Sequence, residues 1–218
     1  MSLVKDLEDA LFEAVSEEIA KYGFSGSKRH YCFYKRTPFG RLAFCLAFIR
    51  HRDDADVTIN LAVRFDELED LINEHRSHLS SAEKKNTFSL GVELGNLSEG
   101  RQKRWTVASL PDVSPVAQSI MNSFLAIGLP YLQKYSDIQT ALEVLSGDDK
   151  DAWLHSPFHD TRAKRALGLA FLLGVRKRFS ELASAKTEFL KSRNDSGLAS
   201  FLQFRDELEK RLEQTAPG

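Results

Sequence analysis

Cysteine is almost missing from this 218-residue chain; Cys32 and Cys45 are all there is. Two thiols cannot build a disulfide scaffold or a structural zinc site. They read as small core residues in a reducing compartment. An excess of charge of one sign is missing too, with 30 basic residues against 31 acidic ones. No global field therefore draws the chain to nucleic acid or to an anionic membrane. Long apolar runs are also absent. The 21 residues from Val113 to Gln133 carry no charge, but Ser, Gln, Asn and two prolines interrupt them, which excludes a membrane span. The opening "MSLVKDLEDALFEA" is acidic and helical and lacks the basic start and apolar centre of a signal peptide. A cytoplasmic location is the expectation.

Catalytic signatures are lacking as well. The chain has no GxSxG, no glycine-rich phosphate loop and no CxxC. "RHRDDAD" resembles half of a calcium loop, without its glycine or terminal glutamate. Arg101, Lys103 and Arg104 could touch phosphate, but no aromatic platform accompanies them, and a solvated loop tip explains them equally well.

Periodicity is abundant. Hydrophobic residues are 42% of the chain, enough for a substantial core. Leu7, Leu11, Val15, Ile19 and Tyr22 recur at helical spacing and Gly23 follows as a stop, which predicts a helix over 4–22. "HYCFYKR" (30–36) and "RLAFCLAFIRH" (41–51) alternate on either side of "TPFG" and predict a hairpin turning at Phe39-Gly40. That register aligns Tyr34 with Cys45 and leaves both thiols free. "VTINLAVRF" (57–65) is a third strand. Asp66 and Glu69 then read as an N-cap and its box partner. "TFSLGVEL" (87–94) and "RWTVASL" (104–110) predict a second hairpin.

After Leu110 the period is helical. Ser114-Pro115 predicts a helix start and "GLP" its end at Ile127. Ser136 and Gln139 suggest another capping box, and a long helix is expected from about Thr161 to about Ser192, broken by "RNDSG". The class is α+β: an antiparallel sheet of about five strands with flanking helices and a C-terminal helical hairpin. The expected division is an α+β domain over 1–150 and a helical extension over 151–218.

Alternation also assigns the faces of the sheet. Phe33, Leu42, Phe44, Leu46, Val57, Ile59, Leu61 and Val63 share the core face. The other face is made of small residues such as Ala43, Cys45, Ala47 and Ala62, with Tyr34, Arg36, Asn60, Arg64 and Glu93 among them. A solvated face normally carries many charges. This one suits either a covering helix or a groove for a partner or ligand, with those five polar residues as its contacts. The helix from Pro115 to Ile127 has an uncharged polar side of Gln118, Ser119, Asn122 and Ser123, expected to be half-buried. "RALGLAFLLGV" (165–175) is apolar nearly all round and is expected at the centre of the second half.

"WLHSPFHDTRAKR" (153–165) holds His155, His159 and Asp160. Histidines four apart on a helix can share a metal, but Pro157 between them points to a turn. Asp160 or Thr161 is placed to cap the following helix. His75 and His78 stand three apart, with His75 on an apolar stripe, and read as structural.

The segments "YGF", "FYKR", "VTINLAVRF", "RWTVASL", "GLPYL" and "SDIQTALEVL" resemble, over roughly residues 7 to 146, a family of uncharacterised bacterial proteins known as a domain of unknown function. The resemblance implies a small α+β module, immunity-like in some members, and offers no catalytic residues to carry over. The expected function is a non-catalytic bacterial protein-binding module, with an immunity or antitoxin role as its particular form. The expected partner is another protein or a second copy of the chain, without nucleic acid, membrane, cofactor or metal. The alternatives are a hydrolase or nuclease using His155, His159 and Asp160, and a small-ligand module on the small-residue sheet face.

Overall fold

Six strands form one sheet within residues 3–214, the part of the chain that the computed structural model describes. The first helix, α1 (Leu3–Ile19), buries Leu7, Leu11, Val15 and Ile19 at the expected spacing. A short 3-10 turn follows and ends at Gly23, whose φ of 81° suits a residue without a Cβ. Strands β1 (Ser25–Ser27), β2 (Cys32–Thr37), β3 (Gly40–Arg50) and β4 (Ala55–Phe65) lie side by side in chain order. The two remaining strands, β5 (Leu90–Glu93) and β6 (Trp105–Val107), both pair with β4.

Those two strands do not form the expected hairpin with each other. A short helix, α4 (Leu94–Ser98), turns the chain between them. The Glu93 carboxylate accepts from the backbone N–H of Asn96 at 3.2 Å and of Lys103 at 3.3 Å, so one side chain organises the connection. The chain closes tightly there: a Cβ on Gly95 would sit 2.3 Å from the Lys103 nitrogen.

The described chain falls into two compact units. One holds the residues up to Val63 with Gly91–Ser136; the other holds Arg64–Leu90 with the residues from Asp137 onward. The division expected at residue 150 follows chain order, whereas these units are spatial.

In the first unit the core face of the sheet is buried at Phe33, Leu42, Phe44, Val57, Ile59, Leu61 and Val63. Above it runs one nearly continuous helix. Its first part, α5 (Leu110–Ser123), starts at Ser109, which forms a capping box with Asp112. The expected start at Ser114-Pro115 is therefore five residues late, and Pro115 lies inside the helix. Nor does "GLP" end it. A π-turn over Phe124–Gly128 leads into α6 (Leu129–Tyr135). The wider turn accommodates Pro130, which has no N–H to give and whose ring would press on the preceding turn. The rings of Phe44, Phe24 and Tyr22 converge on Phe124, with centroids 4.9, 5.7 and 6.2 Å away. On the uncharged side of α5, Ser119 and Ser123 are half-buried as expected, and Ser119 accepts from the Trp105 indole at 3.0 Å. Gln118 and Asn122 are exposed and bond to each other at 2.9 Å.

The hairpin register differs from expectation by two residues. Thr37 faces Gly40, so Pro38-Phe39 make the turn, and Cys32 comes directly opposite Cys45 with 4.0 Å between Cα atoms. The two are joined in a disulfide. The free thiols expected from the Phe39-Gly40 turn are thus overturned. A two-residue slip keeps every side chain on its face, which is why alternation alone did not reveal it.

Helix α1 is held to β3 by charge. Glu8 is fully buried, and Arg50 donates to its two oxygens at 2.5 and 2.9 Å. Beside it the Tyr31 hydroxyl donates to Asp9 at 2.6 Å, Lys5 bonds to both, and burial pushes the Tyr31 phenol up to about 12.

The second unit is helical: α2 (Asp66–Asn73), α3 (Ser81–Lys85), α7 (Ile138–Ser146), α8 (Lys150–His155), α9 (His159–Leu172), α10 (Arg176–Ser192) and α11 (Leu198–Gln214). Helix α9 is the centre, touching α2, α7, α10 and α11, and Ala166 to Ala170 are all buried. A Cβ on Gly168 would meet Leu68 at 2.6 Å, so α2 lies close against it. The single long helix expected over 161–192 is two helices. Gly174, at φ 68°, ends α9 in a Schellman turn, with Val175 N–H on Ala170 and Gly174 N–H on Phe171. Asn194, at φ 50°, ends α10 by the same hydrogen bonds. Two further caps shift by one residue. Phe65, not Asp66, precedes α2, and Asp137, not Ser136, caps α7 by accepting from Thr140 N–H. Among the described residues no helix is long and apolar enough to cross a membrane.

The fold makes two expectations measurable. Reduction of Cys32–Cys45, which closes a 13-residue separation, should lower unfolding stability by about 3 kcal/mol at most, because the hairpin pairing already limits the unfolded loop. Urea unfolding with and without reductant measures this. Hydrogen bonds from Lys5 and Tyr31 hold the Asp9 carboxyl at about 2, below its ordinary 3.8. The stability it contributes is complete above pH 3.8 and is lost as pH falls through 2. Asp9→Asn should flatten that part of the acid-unfolding curve, and an unchanged curve would count against it.

Candidate functional site

Every second residue of β2 and β3 points away from the helices, and the register lines these residues up in facing pairs. Cys32 faces Cys45, Tyr34 faces Ala43, and Arg36 faces Arg41. Along β2 these residues grade from buried Cys32 to exposed Arg36, while on β3 Cys45 and Arg41 are half-buried. Ala43 is fully buried, Tyr34 is half-buried and Arg36 is exposed. The Arg41 guanidinium lies over the Tyr34 ring at 5.1 Å from its centroid, within cation–π range. Burial pushes the Tyr34 phenol up, partly offset by Arg41. On β4, Asn60 is exposed and Ala62 half-buried, and Ala47 on β3 is half-buried. The small-residue face is therefore partly open.

The five polar residues expected on this face do not share one situation. Tyr34, Arg36 and Asn60 stand at accessible positions. Glu93 is half-buried and spends its carboxylate on the cap of α4. Arg64 is only 4% exposed. Its guanidinium donates to Asp66 at 2.6 Å, Asp70 at 2.8 Å, the Thr87 hydroxyl at 2.7 Å and the Thr87 carbonyl at 2.9 Å. It binds the segment around α3 to α2 and has little left for a partner.

The histidine stretch of the second unit is built around an arginine. Arg162 is 1% exposed. It donates to the Ser156 carbonyl at 2.6 Å and the Gly147 carbonyl at 3.1 Å, lies 3.4 Å from Asp148, and meets His159 Nδ1 at 2.9 Å. Lys186, 2% exposed, reaches from α10 to Asp148 at 2.8 Å and the Ser146 carbonyl at 2.7 Å. Burial lowers its pKa against the pull of Asp148. His155 is buried, 3.6 Å from Asp151; His159 stacks edge-on against Phe189; Asp160 pairs with Lys164 at 3.2 Å. Each of the three is engaged by a different neighbour. Helix α9 begins at His159 after Phe158, so neither Asp160 nor Thr161 is its cap. Among the described residues no group of three His, Cys, Asp or Glu side chains gathers as a metal site would require. Sequence reasoning passed over Arg162 and Lys186. The available signal was a cation on each apolar stripe, Lys186 between Leu182 and Leu190 and Arg162 four before Ala166.

A family model described as a domain of unknown function (DUF4304) matches residues 15–134. No curated protein and no solved structure matches.

If Arg162 is what organises this stretch, Arg162→Met should cost about 3 kcal/mol, since it strands the buried Ser156 carbonyl and leaves the Gly147 carbonyl and Asp148 to Lys186 alone. His159→Ala should cost about 1 kcal/mol. Chemical denaturation of both variants distinguishes them, and a larger loss from the histidine would reverse the assignment.

Proposed function

The chain belongs to the DUF4304 family, and on that premise we propose that it is a non-catalytic binding module that holds an acidic protein surface on the open end of its β2–β3 hairpin. One observation carries this. Arg36 and Arg41 are paired directly across the hairpin, and Arg36 has no acidic partner among the described residues. Like charges facing across strands destabilise a sheet, and a carboxylate from outside would relieve the repulsion while its oxygens take the Arg36 guanidinium fork. Tyr34 supplies an aromatic anchor beside them, and aromatic and guanidinium groups dominate binding energy at protein interfaces. The small residues behind, Ala47 and Ala62, allow close approach at little desolvation cost.

The immunity or antitoxin role is the particular case in which the acidic partner is a toxin. The bacterial cytoplasm belongs to the same proposal, though the disulfide speaks against a permanently reducing setting. The alternative hydrolase or nuclease has no comparable observation behind it, since His155, His159 and Asp160 are each engaged separately.

The test uses Arg36→Glu and Ala62→Glu. A partner retrieved by the wild-type chain should be lost by both variants with melting temperature nearly unchanged, and its capture should weaken as salt rises. Retention of that partner by Arg36→Glu sinks the proposal. So does a loss of several kcal/mol of stability in Ala62→Glu, which would make the face ordinary core.

A further inference from the structure

The second unit holds a cleft of about 430 Å³, in the size range of small-molecule sites, between the segment after α2 and the facing sides of α9 and α11. Its charged groups do not balance. Arg76 comes from the segment after α2, Asp160 and Lys164 come from the first turns of α9, and Ser200 comes from α11. Lys164 donates to the Ser200 hydroxyl at 2.7 Å and lies 3.2 Å from Asp160, so that pair is neutral and one of three ammonium donors is still unspent. Lys164 donates to the Ser200 hydroxyl rather than accepting its proton, and the contact does not read as a nucleophilic dyad.

Arg76 is different. Its side chain is 21% exposed, and its nearest carboxylate oxygen, on Glu69, is 3.9 Å away. Glu69 is fully buried and already receives Arg165 at 3.2 Å, so one carboxylate faces two guanidinium groups. The other partner of Arg76 among the described residues is the Asn73 side-chain oxygen, at 3.4 Å. Burial presses its pKa down and Arg165 adds to this, while the charges of Glu69 and Asp160 oppose it only in part. A guanidinium has five donors, and most of those on Arg76 are unspent. The rest of the lining is apolar or ambivalent. Ile72 and Leu79 supply aliphatic wall, His75 and His78 supply rings, and the buried Nε2 of His75 has no hydrogen-bond partner.

We propose that this cleft binds a small organic anion, its oxyanion head on the Arg76 guanidinium and the Lys164 ammonium and its apolar body against Ile72 and Leu79. The head supplies the negative charge that Glu69 cannot supply twice, and the guanidinium fork matches carboxylate and phosphate oxygens alike. The site uses no residue of the sheet face, so its success or failure is independent of the protein-binding proposal.

The experiment is a titration of isotope-labelled full chain, followed by amide NMR at constant ionic strength, with phenyl phosphate, benzoate and phenol as probes. At least one anion should shift signals of residues 72–79, 160–164 and 200 and saturate on the order of 1 mM, a modest affinity for so few contacts. Phenol should not. Which anion binds more tightly identifies the head as phosphate or carboxylate. Arg76→Met and Lys164→Met should each weaken binding about tenfold. If Arg76→Met fails to fold, Lys164→Met gives the same reading, because Glu69 does not depend on it. Equal shifts with phenol, shifts scattered over the surface, no saturation by either anion, or unchanged binding in the Lys164 variant would each overturn the proposal.

Discussion

Helix α9 is buried on every side through its middle turns, and the second unit depends on that constraint. A helix in this position cannot send its charged residues to water. Arg162 and Arg165, in its first turns, must therefore be satisfied from within. Arg162 takes two carbonyls and a carboxylate from the connector around α8. Arg165 takes buried Glu69 of α2, the Phe88 carbonyl and the Ser156 hydroxyl at 3.1 Å. Burial of the helix and ordering of the irregular segments around it are thus one event. Lys186 adds α10 by way of the same Asp148. The turn of "HSPFH" is set by the Ser156 carbonyl and the His159 ring nitrogen, both aimed at the Arg162 guanidinium.

Much of the architecture was legible because it rests on period. The buried face of α1, the three long strands and the apolar centre at 165–175 all follow from where leucine and phenylalanine recur. The errors lie where one local rule had two candidates. Ser109 and Ser114 can each start α5; Ser136 and Asp137 stand side by side before α7. In both cases the choice went to the residue whose carboxylate or partner reached backbone N–H groups, which depends on the path of the chain before the helix. The break at Gly174 was hidden because apolar residues continue on both sides of it; only the positive φ gives it away. The strand β1 has no apolar alternation to read, being Ser-Gly-Ser.

The hairpin shows the same limit in a sharper form. Two registers, turning at Pro38-Phe39 or at Phe39-Gly40, bury the same side chains, so hydrophobicity does not choose between them. They differ in what faces what. One sets Cys32 against Cys45 and Arg36 against Arg41; the other separates both pairs. The bond between sulfurs fixes the first, and with it the juxtaposition of two arginines at the open end. A covalent link made for the strand pair therefore also sets the charge of the face.

The cations of this protein sort by how fully their donors are used, and the sorting says more than exposure does. Arg64 and Arg162 are as buried as leucines, yet most of their donors have an acceptor within the protein. Such groups hold structure, because replacing their partners from outside would unpair the chain's own carbonyls. Arg36 and Arg76 are less buried and less occupied. One faces a second arginine, and the other shares a carboxylate already given to Arg165. At Arg36 no acid among the described residues pairs with the charge, and at Arg76 Glu69 and Asp160 act on it without a close ion pair. An acidic residue one turn away would have neutralised the charge at small energetic cost. Charge left uncompensated weakens the fold and strengthens the hold on an anion, and it is this difference between Arg36 and Arg76 on one side and Arg64 and Arg162 on the other on which both proposals rest.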